Sequence, residues 1–160
     1  MERVRKRSFG VLCVLLVTAA FPAWGQASSS EWPEGSAMAV GEQHVKTRDY
    51  FAAQLEQQHA ALLALLAPEG DSRLIEGLKA QHAQWLKYRV AECEVSGALT
   101  GAGGSWPSTY AVECEARLTD RRFRRVRAAV ACLRKAPAAD RGGESSRCLQ
   151  QLLPLSNDSR

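Results

Sequence analysis

Apolar residues return every three or four positions along three long stretches of this chain, and no segment alternates convincingly with the two-residue period of a strand. From about Val45 to Leu66, Phe51, Leu55, Leu62, Leu63 and Leu66 fall largely on one face, with Gln and Glu filling the other. Pro68-Glu69-Gly70 breaks that pattern, and Asp71 or Ser72 is placed to cap the next helix. The second stretch is the clearest: Leu74, Leu78, Trp85, Leu86, Arg89 and Cys93 recur at helical steps. A third helix is expected from about Tyr110 to Leu133, striped by Cys114, Leu118, Val126, Val130 and Leu133, with Phe123 beside the stripe. Pro137 and Arg141-Gly142-Gly143 interrupt, after which Cys148, Leu149, Leu152 and Leu153 predict a short last helix. The expectation is an all-α fold: a small bundle of three main helices plus a short C-terminal one.

The first residues read as an address, not as part of the fold. Arg3, Arg5, Lys6 and Arg7 precede an apolar run from Phe9 to about Ala23, followed by small residues. This is the layout of a secretory signal peptide over residues 1–25. The run of about 15 residues is short of the roughly 20 needed to span a bilayer, so no membrane anchor is expected after cleavage. Ala23-Trp24-Gly25 and Gly25-Gln26-Ala27 each place small residues for a cut, after Gly25 or after Ala27. Residues 26–42 are small and turn-rich and are expected as a mobile tail, with the helical domain over 43–155.

Export changes the charge and cysteine totals. The chain has 21 Lys+Arg against 17 Asp+Glu, and losing four basic residues and Glu2 leaves 17 against 16. The basic balance thus belongs to the leader, and no nucleic-acid partner is expected. Of five cysteines Cys13 goes with the leader, leaving Cys93, Cys114, Cys132 and Cys148. Four cysteines in an exported chain read as two disulfides, with three possible connectivities.

Cys93 and Cys114 each sit in the word Glu-Cys-Glu, on either side of a glycine-rich stretch, near the end of one helix and the start of the next. A bridge between them would clamp a helical hairpin at its turn, and Cys132–Cys148 would then tie the last helix to the third. This pairing of neighbours is the simplest of the three. Glu92, Glu94, Glu113 and Glu115 read as structural: Glu113 and Glu115 suit the first turns of a helix, and nothing in the sequence buries the four to raise a pKa.

The segments LKAQHAQWLKYRVAEC, GAGGS and VECEARLTDRR together resemble the lysozyme-inhibitor LprI-like N-terminal family of exported bacterial proteins. The resemblance rests on Trp85, Arg89 and Cys93 at four-residue steps, on Gly103-Gly104-Ser105, on Cys114, and on Thr119 and Arg122. It covers about residues 74–133. Val90 stands where the family pattern has an acidic residue, and His82 where it has Gln, with Gln81 one place away. The upstream cysteine of the family's first helix is missing. The resemblance implies a non-enzymatic binding protein that blocks a glycan hydrolase such as a lysozyme by protein contact. An envelope interaction module without inhibitory activity is the alternative.

Trp85 reads as a core anchor, and Arg89 on the same stripe then needs an acidic or carbonyl partner. Thr119 and Arg122 are expected to cap the third helix and brace the loop. Gly103, Gly104, Ser105 and Trp106 form the expected partner-binding loop, with Trp106 as anchor. Gly-Ala-Gly-Gly-Ser lacks the Lys of a phosphate loop, and no His lies near Ser105 to activate it. Neither catalytic residues nor a cofactor are expected. Arg121, Arg124 and Arg125 form a basic face suited to an anionic envelope surface, more simply a solvated helix side. His44, His59 and His82 have no metal-ligand spacing, and no metal is expected.

Overall fold

A computed structural model describes residues 32–137 and 141–153. The proposed leader, and the tail up to residue 31, lie outside them. Among the described residues there are four α-helices and no strand: α1 (Ala37–Leu66), α2 (Ser72–Ala98), α3 (Trp106–Lys135) and α4 (Arg141–Leu149). Short 3₁₀ turns follow α1 and α4. The fold is an all-α helical bundle.

Helix α1 starts well ahead of the expected Val45, so residues 37–42 belong to the helix and not to a tail. Ser36 is extended at its cap and its Oγ accepts from Ala39 N at 3.2 Å, satisfying a donor of the open first turn. Gly41, inside α1, faces Thr109 closely: a β-carbon there would lie 3.3 Å from Thr109 Oγ1. Proximity to α3 keeps that residue small. At the far end Gly70 turns the chain with φ +75°, a conformation glycine enters without steric cost. Asp71 caps α2 by accepting from Leu74 N at 2.9 Å.

Helix α3 also begins early, at Trp106, and carries Pro107 in its first turn, where a missing N–H costs nothing. It is the hub of the bundle, packing along α1 and against α2 and α4. Its buried stripe of Leu118, Val126, Ala129, Val130 and Leu133 meets Leu55, Leu62 and Leu66 of α1 and Leu78 and Trp85 of α2. The cysteines are paired as Cys93–Cys114 and Cys132–Cys148, each with Cα atoms 5.5 Å apart. The second bridge joins α3 to α4. The first joins the last turns of α2 to the early part of α3 and leaves the connecting loop beyond it.

Candidate functional site

The loop between α2 and α3 is shaped by two residues in the left-handed region, Gly101 at φ +67° and Gly104 at φ +63°. Thr100 closes the helix end, its Oγ1 donating to Gly97 O at 2.7 Å. Gly103, Gly104 and Ser105 are exposed, and Leu99, just before them, is 80% exposed. Such exposure of a leucine on a braced turn is the most prominent apolar feature of this end of the molecule. Trp106 lies inside α3 instead of in the loop, half-buried, its ring stacked on Tyr110 at 5.7 Å between centroids. Beside the loop a groove of about 520 Å³ runs between the start of α1 and the start of α3, lined by Trp32, Met38, Val45, Ser108 and Val112 among others. Thr109 Oγ1 fastens this end by donating to Ala37 O at 2.8 Å.

Beneath the clamp runs a buried polar seam that holds the hairpin in register. Trp85 is fully buried, and the guanidinium carbons of Arg89 and Arg122 lie 5.7 and 5.8 Å from its ring centroid, within cation–π range. Arg89 donates to Thr119 Oγ1 at 3.0 Å and pairs with Glu115 Oε2 at 3.3 Å. Thr119 in turn donates to Glu115 O at 2.6 Å. Arg48 of α1 approaches the same carboxylate at 3.8 Å, so Glu115 gathers all three long helices. Burial pulls the Arg89 guanidinium below the usual arginine range, while Glu115 pulls it back up. Arg122 donates to Gln81 Oε1 at 2.8 Å and to Leu152 O at 3.1 Å, joining α3 to α2 and to the C-terminal turn.

Several sequence expectations change on this geometry. Thr119 and Arg122 lie in the buried middle of α3 and cap nothing, because the helix starts so far upstream. For the same reason Glu113 and Glu115 are beyond the first turns. Glu113 pairs with Arg117 at 3.2 Å near the surface, and Glu115 is the acidic partner that Arg89 required. Gln81, one place away from the family position, is the residue Arg122 uses. The basic face is partly neutralised: Arg124 is held by both carboxylate oxygens of Asp120, at 2.9 and 2.7 Å. Arg121 is exposed and Arg125 half-buried.

The fold also joins residues that spacing along the chain kept apart. His59 of α1 and His82 of α2 stack with ring centroids 4.1 Å apart, and His82 Nε2 lies 2.8 Å from Glu56 Oε1. Burial, first, and the neighbouring His82 lower the His59 pKa below the usual 6.5. Only Glu56 and His59, three apart on one helix, were visible as neighbours in sequence; the contribution of His82 needs the α1–α2 contact. Among the described residues no helix is long and apolar enough to cross a membrane. The chain matches the lysozyme inhibitor LprI family over residues 37–125, so the match takes in α1, α2 and the first two thirds of α3. No curated protein and no solved structure matches it.

Proposed function

The chain belongs to the lysozyme inhibitor LprI family, and on that footing we propose that it is an exported, non-enzymatic binding protein that obstructs a glycan hydrolase of the lysozyme type. The leader at residues 1–25 would deliver it outside the cytoplasm, where its two disulfides form and persist. Family membership supports an inhibitor in place of an enzyme. The observation that carries the choice of surface is the exposed Leu99 on a loop clamped by Cys93–Cys114 and shaped by Gly101 and Gly104. A turn held this way meets a cleft without a large ordering cost on binding.

The catalytic cleft of a lysozyme holds two carboxyl groups. An obstructing loop therefore has to bring hydrogen-bond donors together with an apolar plug. Leu99 supplies the plug, and Ser105 with the exposed backbone of Gly103 and Gly104 supplies donors. Trp106 and Tyr110 back the loop from the first turns of α3. The test is clearance of a bacterial cell-wall suspension by lysozyme in the presence of the purified, oxidised protein. Slower clearance is expected, weakened strongly by Leu99→Asp and less by Trp106→Ala. Lysis rates unchanged at micromolar protein would overturn the proposal.

A further inference from the structure

We propose that Glu56, His59 and His82 form a binding site for one divalent transition-metal ion of the zinc class. One donor atom from each residue lies within 4.8 Å of the others. Glu56 and His59 are three positions apart on α1 and so share a helix face. His82 completes the set from α2. Two ring nitrogens in this cluster, His59 Nε2 and His82 Nδ1, are buried without a hydrogen-bond partner. Buried polar atoms are almost always satisfied, so two such atoms on adjacent imidazoles are donors available to an ion. Glu56 has a side chain 58% exposed while that of His82 is 8% exposed. The cluster thus has buried nitrogen donors and a carboxylate at the solvent side, which gives an ion an entry path.

The donor set decides the class of ion. Two imidazoles and one carboxylate, with a fourth position left open, suit zinc and its first-row neighbours. Calcium and magnesium prefer all-oxygen shells and are disfavoured here. Among neighbouring charges, Arg122 opposes a cation at His59 and Glu56 favours it. The rings now lie nearly parallel, at 17°. An imidazole lone pair lies in its ring plane, so parallel rings do not aim at one point. Binding therefore requires at least one ring to turn about its Cβ–Cγ bond. That turn is a signature a surface-adsorbed ion would not produce.

The experiment is a titration of the purified, oxidised protein with Zn(II), read by calorimetry and by the ring ¹⁵N resonances of the histidines. Co(II) absorption serves as a second probe of coordination. One equivalent should bind, with the His59 and His82 ring nitrogens shifting together and the His44 ring unchanged. Glu56→Gln, at a largely exposed position, should weaken binding by at least the roughly 10-fold that loss of even an outer-shell partner costs. His59→Gln and His82→Gln should abolish it, whereas His44→Gln should leave it intact. Should either buried variant fail to fold, Glu56→Gln and the wild-type ring resonances still decide. Binding no tighter than millimolar would overturn the site, as would undiminished binding in Glu56→Gln or unmoved ring nitrogens at saturation.

Discussion

Gly97 offers the sharpest test of how the hairpin neck is built. It lies one turn beyond Cys93 and is buried against the start of α3. A β-carbon added there would be driven into the Pro107 carbonyl oxygen and would sit 3.1 Å from both Ala111 N and Ala111 Cβ. Gly77, in the same helix, is exposed and has nothing within 4 Å of the equivalent position. On helix propensity alone, Gly→Ala gains up to about 1 kcal/mol at either site. Gly77→Ala should realise that gain. At Gly97 the gain is opposed by overpacking, which costs about 1–3 kcal/mol where neighbours can yield. Here the nearest obstructing atom is a backbone carbonyl oxygen, and the Cys93–Cys114 bridge keeps α2 and α3 from moving apart. The upper end of that range applies, leaving a net loss of about 2 kcal/mol. At about 4 °C per kcal/mol for a domain of this size, Gly97→Ala should lower the melting temperature by about 8 °C and Gly77→Ala should raise it by about 4 °C. Thermal and urea unfolding followed by circular dichroism measure both. A Gly97→Ala variant at least as stable as the parent would refute the close-crossing argument.

Other outcomes follow from the seam, the clamp and the histidines. Glu115→Leu leaves the half-buried Arg89 without its carboxylate and should cost about 2 kcal/mol or more in urea unfolding; a loss below about 1 kcal/mol would mean that Arg89 finds water or another acceptor. Replacing both Cys93 and Cys114 by Ser should cost about 3 kcal/mol for a sequence separation of 21 in the chain-entropy model, with the helical signal retained at low temperature. An unfolded double variant would show that the bridge is required for folding itself. Because the folded His59 has its pKa below the unfolded value of 6.5, its neutral form contributes stability that is complete above pH 6.5 and declines as pH falls below it toward the folded pKa. In chelator-treated buffer, the urea midpoint should drop between about pH 7 and about pH 5, and His59→Leu should flatten that slope. A midpoint that rises on acidification would contradict the assignment.

The helices were legible because their apolar stripes are long and regular, as in Leu74 to Cys93. Their starting points were not. Ser36 is one of several serines in a small-residue run, and only its bond to Ala39 N marks it as a cap. Trp106-Pro107 reads as loop until Pro107 is placed in a first turn. The earlier start of α3 moved Glu115 out of the helix's first turns, to where it meets Arg89 across the bundle. Arg89's need for a partner followed from its place on an apolar stripe, but the partner's identity depends on the register of α2 against α3. The pairing of His59 with His82 was beyond reach for the same reason. The positions are 23 residues apart in sequence, and the α1–α2 crossing alone brings them together.

The covalent ring closed by Cys93 and Cys114 has a bearing on survival among proteases. A single cut anywhere between those residues leaves two fragments still tied to each other, one carrying Arg89 and the other Glu115. Such nicked material would migrate as one species on a gel run without reductant and as two with it. A turn of this design tolerates cleavage at its tip without shedding half of the molecule.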